Sequence, residues 1–228
     1  LQIVSWVGTS PSRIILGFML ATAFLSMWIS NTATTIMMFA VALSVIDFVA
    51  HHTDDDKMVR NFGVALMLSI AYSASIGGVG TLIGTPPNAL LASFLQNTYN
   101  IEITFFNWML LGVPVVIVML PATWLILTRL LFPSHKIAIG DARSVVESEL
   151  VALGPMSRGE KLVAIVFLCA ALGWVFRKFL VSLTGLPIND TIIALTAAMV
   201  LFVVPISRSK GEFALDWEAA RNVPWGVL

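Results

Sequence analysis

Long uncharged stretches of apolar residues alternate with short charged segments along the chain. The uncharged stretches cover 14–46, 61–101, 103–128, 162–176 and 191–207. A helix needs about 20 residues to cross about 30 Å of hydrocarbon, because it rises about 1.5 Å per residue. These runs are continuous and do not alternate with polar residues, which disfavours a membrane β-barrel. The pattern therefore predicts an all-α polytopic membrane protein.

The first uncharged stretch is interrupted by a polar block at 30–35, Ser-Asn-Thr-Ala-Thr-Thr. One helix over 14–46 would be about 50 Å long, which is too long for a single crossing. Ser and Asn favour the N-cap of a helix over its interior. We therefore expect residues 1–50 to form a re-entrant helical hairpin. Its arms would cover about 12–28 and 31–49, and its polar tip would lie near the middle of the bilayer.

The second uncharged stretch contains a segment rich in Gly and Pro, which runs from Gly77 to Pro86-Pro87-Asn88. Glycine and proline are the poorest helix formers. The pattern predicts one discontinuous helix over 57–98. It would consist of a first half at 57–76, an unwound Gly/Pro loop at 77–87 and a second half at 88–98.

The remaining segments complete a membrane topology. We expect a transmembrane helix at 104–131, a cytoplasmic connection at 132–160 and two transmembrane helices within 161–206, at 161–183 and 190–206. Residues 207–228 would hold an interfacial amphipathic helix at 208–222 and the start of a further segment. Of the 13 Lys and Arg residues, this layout places only Arg177 and Lys178 on one side. The other side is then the cytoplasm by the positive-inside rule.

Composition narrows the class of protein further. Hydrophobic residues make up 58% of the 228 residues and charged residues 11%, whereas soluble domains carry about 25% charged residues. The formal net charge is zero, so no global field attracts nucleic acid. The single cysteine, Cys169, is expected to be a buried, inert thiol. The sequence begins at Leu1 without a start methionine, and we expect it to be part of a longer protein. Its short loops favour a bacterial inner (plasma) membrane.

The two polar breaks have a chemistry of their own. Irregular backbone at membrane depth is tolerated only where it is buried in protein or lines a polar cavity, and paired breaks mark transporter binding sites. Backbone carbonyls with Ser, Thr and Asn oxygens suit Na⁺, and the absence of Asp, Glu, His and Cys disfavours transition metals. Helices that begin at Asn31 and near Asn88 direct positive dipole ends at the breaks, where hydroxyls can donate to a carboxylate. The pair predicts a cation-coupled anion symporter.

These two motifs make the sequence similar to a known transporter family. Ser-Asn-Thr-Ala-Thr-Thr at 30–35, preceded by Phe-Leu-Ser-Met-Trp-Ile at 24–29, resembles the first signature of the divalent-anion/sodium symporter family. The segment from Ser75-Ile-Gly-Gly to Gly84-Thr-Pro-Pro-Asn88 resembles its partner loop. The family includes sodium-coupled dicarboxylate and citrate transporters. The resemblance implies a homodimer, inverted repeats of which this chain supplies the first, and an elevator mechanism.

The resemblance also implies roles for individual residues. The first sodium site would use, largely through main-chain oxygens, Ser26, Ser30, Asn31 and Gly84. The substrate would contact Asn31, Thr32, Thr34 and Thr85, beside a wall formed by Pro86. Na⁺ would be the coupling ion, with no other cofactor and no catalytic residue. The implied function is sodium-coupled symport of a C4-dicarboxylate such as succinate, malate or fumarate.

Three alternatives stay open from the sequence. The first is a carrier of citrate, sulfate or another oxyanion, coupled to Na⁺ or H⁺. The second is a non-transporting half-subunit that acts in assembly. The third is an intramembrane enzyme, which would need a nucleophile with a base or a metal with ligands. No His, Asp or Glu lies next to Ser26, Ser30 or Ser75 in the sequence, which makes the enzyme the least favoured of the three.

Overall fold

The computed structural model describes residues 10–51, 55–133, 154–207 and 212–221. In these ranges the helices are α1 Pro11–Ser26, α2 Asn31–His51, α3 Asp56–Val79, α4 Pro86–Tyr99, α5 Phe105–Leu125, α6 Arg158–Val175, α7 Arg177–Thr184, α8 Asp190–Val203 and α9 Trp217–Arg221. A π-helix, Ile126–Leu131, continues α5. Two short antiparallel strands, β1 Pro205–Ser207 and β2 Glu212–Phe213, pair with each other.

Several of these helices have the length and composition of membrane spans. Within the described ranges, three helices qualify: Asn31–His51, Asp56–Val79 and Phe105–Leu131, the last including the π-helix. Helices α6 and α7 qualify together, although they are bent by 80° at the break between them. Helices α1 and α8 are shorter and apolar. The chain is therefore a mostly helical integral membrane protein.

The chain divides into two compact units, and the first comprises Leu1–Ile103 and Trp108–Gly154. Its core forms where α3 packs against both α1 and α2. The largest fully buried side chains there include Ile15, Phe18, Phe62 and Leu66. Lipid tails are as apolar as these side chains, so close van der Waals packing and hydrogen bonds hold such helices together rather than exclusion from water.

The second unit comprises Thr104–Asn107 and Pro155–Leu228. Helix α6 begins with a capping box, in which Ser157 and Glu160 each accept a hydrogen bond from the other's backbone N–H. Near the other end of α6, the indole of Trp174 donates to the Asp190 carbonyl at 3.0 Å and stacks on Phe105. These contacts fix α6 against the start of α8.

The unwound loop is shorter than the predicted 77–87. Helix α3 continues to Val79, and α4 already begins at Pro86. Gly77 and Gly78 stay helical because the absence of a side chain leaves room for the Ala23 backbone and the Asn31 amide. Pro86 occupies the first position of α4, where the absent N–H is not needed by the helix. Only residues 80–85 separate the two helices.

The C-terminal half departs further from expectation. The predicted span at 161–183 is a pair of helices that meet at Phe176 at 80°. The predicted helix at 208–222 was wrong over its described part, where β2 is followed by only the short α9. Val204 is extended, as residues before a proline prefer, and this favours the change from α8 to β1. Cys169 is exposed on α6, not buried as expected. Residues 134–153 of the predicted cytoplasmic connection, and 222–228, lie outside the described residues.

Candidate functional site

The first break covers residues 27–30, between α1 and α2. Ser30 caps α2, because its hydroxyl oxygen accepts from the Ala33 backbone N–H at 3.4 Å and its carbonyl accepts from the Thr34 N–H at 3.0 Å. This is the N-cap role for which serine is favoured. No protein acceptor in the described ranges lies at hydrogen-bond distance from the N–H groups of Asn31 and Thr32.

The second break covers residues 80–85 and is held by one buried amide. Asn88, in the first turn of α4, donates through Nδ2 to the carbonyls of Gly78 and Thr81, both at 2.8 Å. The Gly80 N–H donates back to the Gly77 carbonyl at 2.8 Å. These bonds satisfy carbonyls that the end of α3 would otherwise leave without partners. The unwound loop is therefore tied to both of its flanking helices.

The two breaks lie against each other. The hydroxyl oxygen of Ser26 lies 2.6 Å from Asn31 Oδ1 and 2.7 Å from the Ala74 carbonyl oxygen on α3. The Thr81 hydroxyl donates to the Met27 carbonyl, which links the second break directly to the first. Two regions that are distant in sequence, Ser26–Asn31 and Ala74–Thr81, thus meet at the end of α1.

Glycines make this close approach possible. A Cβ at Gly77 would overlap the backbone of Ala23, and one at Gly78 would overlap the Asn31 amide. A Cβ at Gly84 would lie 2.5 Å from the Gly78 carbonyl oxygen. Gly78 therefore lies against both Asn31 and Gly84, and Ser26 contacts Asn31, so three of the four predicted sodium-site residues are near one another. Ser30 precedes Asn31 in the chain, and its hydroxyl is used in capping α2.

At this junction one hydroxyl lies at hydrogen-bond distance from two acceptor oxygens. A hydroxyl has one hydrogen, so Ser26 can donate to Asn31 Oδ1 or to the Ala74 carbonyl but not to both. With the amide oriented as in the structure, Asn31 Oδ1 and the Ala74 carbonyl compete for the one hydrogen of the Ser26 hydroxyl. In the described part of the chain, no group of three or more His, Cys, Asp or Glu could hold a metal ion. The junction is thus an uncharged oxygen cluster, the kind of donor set that coordinates Na⁺ in broken-helix transporters.

The predicted substrate residues fall into two groups. Thr32 and Pro86 are exposed, and Thr85 is half-buried at the N-cap of α4, where its hydroxyl makes no capping hydrogen bond. Thr34 is fully buried, and its hydroxyl has no hydrogen-bond partner among the residues that the structure describes. A buried polar group without a partner costs about 1–3 kcal/mol, so the free hydroxyl of Thr34 marks a position where a ligand or water would stabilise the protein.

The two helix N-termini at the breaks are not equivalent. The start of α2 offers the free N–H groups of Asn31 and Thr32. The first two residues of α4 are Pro86 and Pro87, which have no N–H, and the Asn88 N–H donates to the Thr85 carbonyl at 3.1 Å. The expectation of exposed N–H donors near Asn88 was therefore wrong for α4, since proline removes them. Helix α4 retains its dipole and the Thr85 hydroxyl.

Sequence reasoning missed several groups at the junction. The Ala74 carbonyl and the Thr81 hydroxyl join the breaks, and Trp108 Nε1 donates to the Val79 carbonyl at 2.9 Å. Thr22 and Ser73 carry fully buried hydroxyls without a partner in the described part of the chain. Thr22 lies one turn before Ser26, and Ser73 directly precedes Ala74. Thr22 and Ser73 could have been noticed as polar residues within apolar helices, whereas a backbone carbonyl leaves no signal in the sequence.

Comparison with known proteins gives consistent matches over the whole chain. A sequence model of the family described as "Sodium:sulfate symporter transmembrane region" matches residues 1–228. The chain is 39% identical over 235 residues to the sodium-dependent dicarboxylate transporter SdcS of Staphylococcus saprophyticus. It is 37% identical over 235 residues to the protein of the same name from Staphylococcus aureus strain USA300. Both matches cover 100% of this chain and 45% of the relative. The chain therefore spans about half the length of these relatives.

Proposed function

The chain belongs to the family of the sodium:sulfate symporter transmembrane region, and from that premise we propose that the intact protein couples Na⁺ movement to uptake of a C4-dicarboxylate such as succinate, malate or fumarate. Its homologues are transporters and not enzymes. The two Staphylococcus relatives carry names that specify sodium dependence and dicarboxylates. Those names, together with the uncharged oxygen cluster, support Na⁺ as the coupling ion.

The contact between Ser26 and Asn31 is the observation that carries this proposal. The Ser26 hydroxyl oxygen lies 2.6 Å from Asn31 Oδ1 across the first break and 2.7 Å from the Ala74 carbonyl oxygen on α3. Na⁺ would lie among these oxygens and the main-chain oxygens near Ser30 and Gly84. It would remove the competition for the Ser26 hydrogen, since Ser26 could then donate to Ala74 while Asn31 Oδ1 faces the ion.

Asn31 would connect the cation to the anion. Its amide has one oxygen for Na⁺ and two N–H donors for a substrate carboxylate, so a bound ion that fixes the oxygen also orients the donors. The ion adds a direct electrostatic attraction. Two opposite unit charges 4 Å apart attract by about 4 kcal/mol at an effective dielectric constant of about 20, and about 1.4 kcal/mol already changes an affinity tenfold. Substrate would thus bind weakly without Na⁺.

The remaining substrate contacts would come from hydroxyls and from the start of α2. Thr32 and Thr85 would donate to a carboxylate. The buried hydroxyl of Thr34, which has no partner among the described residues, would also donate to the substrate. The free N–H groups of Asn31 and Thr32 would add a positive helix end. Pro86 would form an apolar wall at the start of α4.

Larger-scale features belong to the proposal as well. We propose that residues 1–50 are a re-entrant hairpin and that a bacterial plasma membrane holds the protein as a homodimer. The hairpin and the discontinuous helix would move as one body in an elevator mechanism. The hydrogen bond from Thr81 to the Met27 carbonyl joins the two breaks, and those from Asn88 hold the second break together, which supports this common movement.

The test is Na⁺-dependent succinate uptake by the intact protein in proteoliposomes, with Asn31→Ala beside Asn97→Ala. Asn97 is exposed near the end of α4 and bonds only to Ser93 among the described residues. We expect at least a tenfold loss of uptake for Asn31→Ala, because the change removes an oxygen from the cation and donors from the anion. Asn97→Ala should transport normally. Normal uptake by a correctly inserted Asn31→Ala protein would contradict the site assignment.

A second substrate class has support from the family description, which specifies sulfate. Sulfate and a carboxylate both accept hydrogen bonds at a helix N-terminus, so the described site does not separate them by charge alone. Competition between unlabelled anions and labelled succinate distinguishes the two substrate classes. A tenfold excess of unlabelled malate should suppress labelled succinate uptake, whereas the same excess of sulfate or citrate should leave it largely unchanged. Suppression by sulfate but not by malate would make this protein an oxyanion carrier.

A further inference from the structure

Helix α7 contributes to two neighbouring recesses in the second unit. The first is an apolar groove of about 590 Å³ between α6 and α8, whose lining includes Val166, Ala170, Gly173, Ile193, Ala197 and Val200. The second is a smaller recess of about 280 Å³ lined in part by Trp174, Arg177 and Lys178. Consecutive residues of α7 line the two: Phe179 faces the recess and Leu180 the groove. The recesses therefore adjoin at this helix.

The length of the groove is close to the thickness of the hydrocarbon layer of one leaflet. Its lining residues extend over 165–173 on α6 and 192–200 on α8, which is about 12 Å of helix on each side. Half of a hydrocarbon core of about 30 Å is about 15 Å. Apart from Cys169 and Thr196, the groove is lined by hydrocarbon groups and glycine. It fits an extended acyl chain from one leaflet.

Helix α7 has the geometry of a helix at the membrane surface. It leaves α6 at 80°, so if α6 crosses the bilayer, α7 lies close to the membrane plane. Its Phe179 and Leu183 are 65% and 71% exposed, while Arg177 and Lys178 stand at its start. Apolar side chains beside cations are typical of helices that lie in the interface between headgroups and acyl chains.

The two cations of the smaller recess are suited to bind a phosphate group. Arg177 is held in place by Asp190, with Nη1 3.3 Å from Oδ1. Lys178 is exposed, and no carboxylate in the described ranges lies within ion-pair distance of it. Trp174 and Phe106 line the same recess, as aromatic residues do at headgroup level. A protein helix that covered an apolar groove would need no cations beside it.

We propose that α6, α7 and α8 form a binding site for one anionic phospholipid. The phosphate contacts Lys178 and Arg177, and one acyl chain occupies the groove between α6 and α8. The site lies within the second unit, whereas the residues of the two breaks belong to the first. It depends on no assumption about the transported substrate.

Native mass spectrometry of the delipidated intact protein tests this proposal. The probes are phosphatidylglycerol and phosphatidylcholine with identical acyl chains, titrated in detergent. We expect one phosphatidylglycerol to be retained in preference to phosphatidylcholine. Lys178→Gln should weaken that retention about fivefold, which corresponds to one interfacial cation. Lys161→Gln, an exposed lysine at the other end of α6, is the matched control and should change nothing.

A second measurement reports on the groove itself. Cys169 is exposed in the groove lining, so a fluorophore attached there, with other cysteines removed, should be quenched more by brominated phosphatidylglycerol than by brominated phosphatidylcholine. Equal retention of the two lipids, or an equal loss in Lys161→Gln, overturns the proposal. So does a label at Cys169 that neither lipid quenches, because protein from the rest of the molecule or from a second copy then fills the groove.

Discussion

At the residue scale, the junction of the two breaks depends on groups with too few hydrogen-bond partners. The Ser26 hydroxyl lies near two acceptor oxygens and has one hydrogen. Within the described ranges, the hydroxyls of Thr22, Thr34 and Ser73 are buried without partners. Each unsatisfied buried hydroxyl costs about 1–3 kcal/mol. Such a cost at a glycine-rich break is typical of a site completed by its ligands, which agrees with a protein that binds a cation and an anion together.

At the residue level, the sequence identifies side chains that could carry the chemistry, and their roles as ligands stay predictions. Ser26 and Asn31 were expected at one site, and the structure places their side chains 2.6 Å apart. The contribution of Ala74 could not be predicted, because any residue offers the same carbonyl and only the fold determines where it points. Thr34 and Thr85 looked alike in the sequence, yet one is fully buried and the other half-buried. Periodicity does not determine such a difference at the first turn of a helix.

Replacing Thr85 by valine should weaken substrate binding with little effect on folding. The change keeps the shape and removes only a hydroxyl, which makes no capping hydrogen bond in the structure. Loss of a hydrogen bond to a charged group costs about 1.5–3 kcal/mol, so we expect KM for succinate to rise at least about tenfold. Thr98→Val, an exposed threonine near the end of α4, should leave KM unchanged. A Thr85→Val protein that fails to insert would instead indicate a packing role.

At the element scale, the ends of helices were harder to predict than their existence. The sequence identified both interrupted helices, but it placed the end of α3 before Gly77 because glycine disfavours helix. Close packing against Ala23 and Asn31 outweighs that propensity. The 80° bend between α6 and α7 had no Pro to mark it, and it falls at Phe176, the last residue of an uncharged run. Tertiary contacts such as Arg177 with Asp190 fix this bend.

Two glycines on α3 should respond oppositely to alanine. At Gly77, the new Cβ would overlap the Ala23 backbone, whereas at Gly63 it would lie 3.5 Å from the Ile46 side chain, an ordinary contact. We expect Gly77→Ala to lower the free energy of unfolding by about 1–3 kcal/mol through overpacking. Gly63→Ala should be neutral or stabilising by up to about 1 kcal/mol, because alanine is the better helix former. Thermal unfolding in detergent measures both. Equal midpoints for the two variants would show that α1 and α3 do not pack as described.

At the scale of the whole molecule, the chain is a membrane-embedded member of a transporter family. It spans 45% of the length of its Staphylococcus relatives. Its two breaks lie in the first unit and the groove beside α7 in the second. The fold class followed from the uncharged runs, because only the helix satisfies backbone groups within a continuous apolar segment. The short strands β1 and β2 could not be predicted in this way, since three-residue and two-residue strands leave no periodicity.

The most direct measurement of the central claim is the Na⁺ dependence of succinate uptake by the intact protein, Ser26→Ala and Ser75→Ala in proteoliposomes. Ser26 lies at the junction of the breaks, whereas Ser75 is exposed and bonds to the Ala71 carbonyl within its own helix. We predict that Ser26→Ala requires at least about tenfold more Na⁺ for half-maximal uptake, because it removes an oxygen from the cation, and that Ser75→Ala behaves as the unaltered protein. The same Na⁺ dependence in all three proteins, or uptake that needs no Na⁺, would contradict a cation site between the two broken helices.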